Sequence, residues 1–292
     1  MNPLEVLGPK LGGLLATPGV TDLLVNGWNQ VWVERSGTAL QQLASPFESE
    51  AELGQLAQSL IAAGGRHLDQ ANPFADVALA GLRVHAALAS GCNANTHLSI
   101  RVHLNRLFAL GQLADFGMFE QGQLVQLRQI LQNKESFLIS GATGSGKTTL
   151  LRAMLAECTA ERIIALEDVA ELAIQSPNFV SLQTRQANIE GRGEISLERL
   201  VRESLRMRPD RLAVGEVRGT ELLVMLQALN TGHRGAGATI HSNSLEDVMP
   251  RVNAIARNAG VDSISIAEQM KSAFQWIIHV SNRRVVEIAR IN

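Results

Sequence analysis

The sequence predicts an α/β chain in two parts: a C-terminal domain built on a mostly parallel sheet covered by helices, and a smaller N-terminal α+β domain. Three observations lead there. From Phe119 onward, short strand-like runs alternate with helix-like runs, the order expected of a parallel sheet. A glycine-rich stretch, GATGSGKTTL from Gly141 to Leu150, stands between one such strand and one such helix. The first hundred residues read instead as short strands with one main helix. The resulting boundaries are an N-terminal domain over 1–104, a hinge or linker over 105–118 and a C-terminal domain over 119–292.

Along the chain, VTDLLVNG and NQVWVERSG predict two strands joined at a turn, with Asn26-Gly27 and Ser36-Gly37 as punctuation. From Glu48, ESEAELGQLAQSLIAAGG places Leu53, Leu56, Leu60 and Ile61 at helical spacing and stops at Gly64-Gly65. ADVALAGLRVHAAL and HLSIRVHL return to strand content. The pattern breaks down in NRLFALGQLADFGM, Asn105 to Met118, which reads as the linker. FEQGQLVQLRQILQNKE is then a helix, SFLISG a strand running into the glycine-rich loop, and KTTLLRAMLAEC the helix after it. RIIALED, NFVSLQT, RLAVGE and GAGATIH are further strands, separated by helices that include SLERLVRESLRMR and TELLVMLQALNTG.

Composition narrows the function classes. With 292 residues, 46% hydrophobic and 18% charged, the chain can bury sizeable cores. A formal net charge of −2 and a pI near 6.4 argue against binding nucleic acid by bulk charge. Cys92 and Cys158 are far apart and form no CxxC, which excludes a disulfide framework or a four-cysteine zinc site and points to a reducing cytosol. MNPLEVLGPKLGGLLATPG does not read as a signal peptide, and no run reaches the roughly 18 apolar residues of a membrane span. Work at a membrane is therefore expected to go through a partner.

The pattern G-x-x-x-x-G-K-[ST] is that of a phosphate-binding loop. Gly141, Gly144 and Gly146 let the backbone curl so that its N–H groups point inward. The helix beginning near Lys147 aims its positive end at the same anion. Lys147 supplies a charge to the outer phosphates, and the Thr148 hydroxyl suits Mg²⁺. Gly141, Ala142, Thr143, Gly144, Ser145, Gly146, Lys147, Thr148 and Thr149 form the candidate nucleotide-binding run. Such a loop needs an acidic strand end to hold Mg²⁺ and orient water. RLAVGEVRG supplies Glu216; RIIALEDVAEL supplies Glu167, Asp168 and Glu171. In each, an apolar run stops at a carboxylate, which places the acid at the carboxyl edge of a buried strand. The familiar acid there is an aspartate; here Ala-Val-Gly-Glu stands instead.

Together with GATGSGKTT, the segments AVGEVRG, IALEDVAEL and TGHRGAGATIHSNS resemble the secretion ATPases, the motors of type II and type IV secretion and of type IV pili. RPDRLAVGEVRGTE, QALNTGHRG and DLLVNGWNQVWVERSG look most like the branch that drives tight-adherence (Tad/Flp) pili; a type IV secretion or conjugation ATPase of the same superfamily is the alternative. The likeness runs from about Val20 to the end. It implies a RecA-like ATPase domain behind a PAS-like N-terminal domain, and hydrolysis of ATP with Mg²⁺. It further implies a homo-hexamer with nucleotide between the two domains, beside a neighbouring subunit. Such a ring works at the cytoplasmic face of the inner membrane on a platform protein there, with no direct contact to nucleic acid. The tetracysteine zinc module of many type II members is missing, which moves the chain away from that branch.

The resemblance also assigns roles. Glu216 matches the Walker B glutamate that activates water. Glu167 and its acidic neighbours match an "Asp box" that helps hold Mg²⁺ and water, so Thr148, Glu167 and Glu216 are the expected metal ligands. His241, in ATIHSNS, matches a "His box" that senses the outer phosphate; His233 is a weaker match. Lys147, Glu167, Glu216 and His241 are thus the expected catalytic set. Arg83, in GLRVHAAL, and Arg101, in LSIRVHL, match arginines that reach the nucleotide from the N-terminal domain; Arg202 and Arg206, with Arg199, match arginines along SLERLVRESLRMRPD in the C-terminal domain that reach it too. Arg185 and Arg192 sit in a polar loop suited to a subunit interface. Three other classes stand beside this reading: a nucleic-acid-stimulated motor, a small-molecule kinase, and a nucleotide-sensing scaffold that does not hydrolyse.

Overall fold

A computed structural model describes residues 7–15, 17–35, 38–79, 81–102, 107–187 and 192–291. The chain divides into two compact units, residues 1–106 with 185–194, and residues 107–184 with 195–292. Ser36-Gly37, expected as a turn, and Asn105, where the linker was expected to begin, lie outside the described residues.

In the first unit, β1 (Val20–Asn26), β2 (Val31–Arg35), β3 (Gln41–Leu43), β4 (Phe74–Leu79), β5 (Leu82–Ala87) and β6 (His97–Val102) form an antiparallel sheet in the order β3-β2-β1-β6-β5-β4. Helix α1 (Gly8–Leu15) and helix α2 (Glu50–Ala63) join its core. Helix α2 starts at Ser49, whose hydroxyl accepts the Glu52 N–H at 3.3 Å, the S-x-x-E start of an N-cap. Its Leu53, Ala57, Leu60 and Ile61 are buried with Leu23, Val25, Val84 and Ile100 of the sheet. Helix α1 was not expected. Its three glycines mask the periodicity that Leu7, Leu11 and Leu14 carry, and packing against the sheet overrides their poor propensity.

The second unit begins with residues expected to be linker. Instead, α3 (Leu110–Asp115) buries Leu110 and Leu113, and Met118 is buried with them. A helix of fewer than two turns shows too little periodicity in sequence to be recognised. Helix α4 (Gln121–Gln132) leads to β7 (Phe137–Gly141), and α5 (Lys147–Ala156) follows the glycine-rich loop. Then come β8 (Ile163–Glu167), β9 (Phe179–Gln183), α6 (Leu197–Ser204), β10 (Arg211–Val217), α7 (Glu221–Asn230) and β11 (Gly237–His241). Helices α8 (Val248–Asn258) and α9 (Ser263–Ala273) precede the hairpin β12 (Trp276–Ser281) and β13 (Arg284–Arg290). The sheet order is β13-β12-β7-β11-β10-β8-β9, parallel throughout except for β13 at the edge. Alternate strand residues feed two cores. Phe137 and Ile139 meet α3, α4 and α5, whereas Leu138 meets α6 to α9.

At the amino end of this sheet, Arg211 is 1% exposed. Its guanidinium donates to Leu131 O at 2.6 Å, Glu161 Oε1 at 2.9 Å and Gly235 O at 3.3 Å, tying β10 to the ends of three neighbouring segments. Replacing it leaves these acceptors and part of the Glu161 charge uncompensated, so Arg211→Ala should lower unfolding free energy by about 3 kcal/mol in a denaturant titration. An unchanged midpoint would show that the pair anchors nothing.

Candidate functional site

Four adjacent strands, β7, β11, β10 and β8, end side by side at the carboxyl edge of the second unit's sheet. Their last residues are Gly141, His241, Val217 with Glu216 just before it, and Glu167. Gly141 is directly opposite His241 in the β7–β11 register. The parallel order thus brings residues separated by a hundred positions to one edge, where ligands of open α/β sheets sit.

The loop leaves β7 beneath the hairpin of β12 and β13. A Cβ on Gly141 would lie 2.2 Å from Val280 O and 2.7 Å from Ser145 Oγ, so no side chain fits there. Arg283 N–H donates to Ser145 O at 3.1 Å and pins the loop's far side. Lys147 is 6% exposed; its ammonium donates to Gly141 O at 2.8 Å and to Ala142 O at 2.7 Å, closing the loop into a ring. Burial lowers its pKa, against the opposing pull of Glu216. Helix α5 has Gly146 as N-cap and no side-chain cap, so its first N–H groups are without side-chain acceptors at a positive helix end. Ser145 Oγ is buried without a partner.

Glu167 and Glu216 differ sharply although their strands are neighbours. Glu167 is 3% exposed, and its Oε1 accepts the N–H groups of Glu171 at 2.9 Å and Leu172 at 3.0 Å while Oε2 has no partner. Burial pushes its pKa up to about 7. Gly215 leaves it room, since a Cβ there would stand 3.0 Å from Glu167 Cγ. Burial also opposes the charge on Glu216, but the Arg218 hydrogen bond and charge, with His241 and Lys147, outweigh it and hold that carboxyl below the usual range. Arg218 reaches Glu216 Oε2 with one nitrogen and lies 3.9 Å from Asp168 Oδ2 with another. His241 Nε2 is 2.8 Å from Glu216 Oε1, which nevertheless accepts no aligned hydrogen bond. Desolvation chiefly lowers the pKa of His241, so the ring is neutral at pH 7.

These features fit a nucleoside triphosphate and Mg²⁺: an uncapped helix end, a loop curled where a Cβ would clash, an orphaned serine hydroxyl and orphaned carboxylate oxygens. Among the described residues no cluster of three or more His, Cys, Asp or Glu is placed to hold a metal. Thr148 is half-buried and Thr149 exposed on the first turn of α5, and Ala142, Thr143 and Gly144 are exposed.

The arginines have local acidic partners. Arg202 pairs with Glu198 at 2.8 Å and Arg206 with Glu203 at 3.3 Å, both on their own helix or its extension, not with any group of the loop. In the first unit, Arg83 and Arg101 are directly opposite across β5 and β6. Asp76 and Asp22 flank them, at 2.6 and 2.9 Å. Strands β5 and β6 bury alternate residues, and these arginines lie on the other face. His233 precedes β11 and so stands at the far end of that strand from His241. Sequence reasoning missed two participants. Arg218 carried a signal, being two residues beyond Glu216 and so on the same side of an extended chain. The hairpin carbonyl at Val280 carried none.

The chain matches the family described as type II/IV secretion system protein over residues 13–287. A Mycobacterium tuberculosis protein named for conjugal transfer is 40% identical over 305 residues, spanning 98% of this chain and 86% of that protein. The VirB11 ATPase of the Brucella suis type IV secretion system, solved with sulphate, superposes with a TM-score of 0.52 at 22% identity, over 98% of this chain and 97% of VirB11. The pilus retraction motor PilT, solved with bound ADP, gives 0.65 at 18% identity over 96% and 78%. No helix among the described residues is long and apolar enough to cross a membrane. With the loop, the two strand-end glutamates and the histidine at one sheet edge, and with this match along its length, the chain belongs to the type II/IV secretion system protein family.

Proposed function

We propose that this chain is an ATP-hydrolysing motor subunit of a secretion or conjugation machine, assembling as a ring of six. The observation that carries the reading is the meeting of the phosphate loop with Glu167, Glu216 and His241 at the ends of four adjacent strands. Lys147 exchanges its two carbonyl partners for the outer phosphates, and the first N–H groups of α5 take the oxygens beside it. Glu216, held ionised by Arg218, uses the oxygen facing His241 to accept a proton from water and aim it at the γ-phosphorus. His241, uncharged, is placed to register whether that phosphate is present. Mg²⁺, with Thr148, Glu167 and Glu216 as its protein ligands, supplies charge neutralisation on the phosphates when bound.

Two resemblances support different machines. The segments around Arg211 and Val20 favour a tight-adherence pilus, with the ring on an inner-membrane platform protein and the chain cytoplasmic. The 40% identical relative, named for conjugal transfer, favours the conjugation machine. Deleting the gene and scoring surface filaments beside DNA transfer separates them. Arg83, Arg101, Arg202 and Arg206 are proposed to complete the site in the working ring. Its stoichiometry is tested by the solution mass with and without a non-hydrolysable ATP analogue and Mg²⁺: six subunits, favoured by nucleotide, are expected, and a persistent monomer counts against the ring.

Lys147→Ala should abolish turnover, and full activity would remove the loop from the mechanism. Glu216→Gln should bind ATP normally while kcat falls by about 10²–10⁴-fold; an unchanged kcat would hand the role of base to Glu167. For Glu167 the linkage sign follows from a raised folded pKa. The unfolded chain loses its proton near 4.5 whereas the folded chain keeps it to about 7, so wild-type stability falls between those values and then levels off. Glu167→Gln should therefore gain on wild type progressively from pH 4.5 to 7, by on the order of 2–3 kcal/mol, in nucleotide-free denaturation. Parallel stability curves would place the carboxyl in water.

A further inference from the structure

Helix α3 ends in a turn that presses one side chain towards the phosphate loop and leaves an aromatic ring at the surface. Gly117, at φ 77°, takes the left-handed position after the helix; its N–H donates to Ala114 O at 2.8 Å, and Met118 N–H donates to Leu113 O at 2.9 Å. Met118 is further tied by Val285 N–H, which donates to its carbonyl at 2.7 Å. Its methyl group faces the loop: a Cβ on Gly146 would lie 3.3 Å from Met118 Cε. Phe116, two residues earlier and so about 7 Å away along the backbone at most, is 67% exposed. Phe108 meets it edge to face, centroids 5.6 Å apart with planes at 90°, which orients the ring.

Among the described residues of this unit, Phe116 is the exposed aromatic ring. Phe119, Phe137 and Phe274 are buried, and Trp276 stands at the amino end of the sheet, where it donates to Glu135 at 2.9 Å. The loop and α5 can grip only phosphates. A nucleotide held there lays its base on a neighbouring surface, and Phe116 is two residues from Met118, whose methyl group faces Gly146. We propose that Phe116 is the stacking surface for the purine base of the nucleotide, an assignment that rests on reading the loop as a nucleotide site. The larger π-face of a purine covers more of the ring than a pyrimidine does, so ATP is favoured over CTP.

The test is equilibrium binding to the full chain of ATP, CTP and inorganic triphosphate. Phe116→Ala should weaken ATP about tenfold, narrow the preference over CTP and leave triphosphate binding unchanged. Phe116→Trp should keep ATP affinity, and its added emission over wild type should respond to ATP and not to triphosphate. An alanine variant that binds ATP like wild type, or that loses ATP and triphosphate alike, overturns the proposal; so does a tryptophan variant blind to ATP, which decides the matter if the alanine variant does not fold. A wild-type chain that binds neither ATP nor triphosphate overturns the reading of the loop itself, a failure distinct from that of Phe116.

Discussion

The second unit depends on one place where no side chain fits. At Gly141 the interior strand β7 turns into its loop directly under the Val280 carbonyl of β12, with Ser145 Oγ crowding the same point. Close approach of the hairpin and the sharp turn of the loop are the same contact. The hairpin then holds the loop through Arg283 N–H and holds Met118 through Val285 N–H, so β7, the loop, the β12–β13 edge and the segment after α3 share one set of short hydrogen bonds. A loop whose N–H groups must converge on an anion is helped by such walls, because convergent dipoles repel one another, and they add to the Lys147 bonds that close the loop from within.

Around that loop, charge is arranged by burial and by a single arginine. Glu167 and Glu216 end neighbouring strands, yet one is pushed towards neutrality and the other held ionised. The main difference is Arg218, which reaches Glu216, whereas Glu167 has backbone N–H groups on Oε1, an orphaned Oε2 and only the weak field of Arg152. Two like groups whose environments drive their pKa values apart are how one site separates a base from a proton-bearing or metal-seeking partner. Lys147 and His241 show the same economy of water, both having lowered pKa values through desolvation.

The first unit solves a different problem. Placing Arg83 opposite Arg101 sets two like charges on adjacent strands, an unfavourable pairing by itself. Asp76 and Asp22 bracket the pair across four consecutive strands, β1, β6, β5 and β4. Exposed pairs of this kind contribute little to stability. They do keep two guanidinium groups fixed side by side on the face of the sheet that the helices do not cover.

Much was legible in the residues themselves. Glycine spacing, the apolar runs stopping at Glu167 and Glu216, and the helical spacing of Leu53, Leu56, Leu60 and Ile61 report local backbone chemistry, and local chemistry is what a linear pattern encodes. The short helix α3 was hidden because two buried leucines give no period, and α1 because its glycines disguise one. Sequence by itself therefore determined the alternating architecture, the phosphate loop and the identity of the acids. Tertiary structure alone decided which acid is ionised, which arginine serves it, where Lys147 rests and what stands over Gly141. Those outcomes depend on burial and on distances between segments far apart in the chain, and desolvation and Coulomb energies are set by those distances, not by order along the backbone.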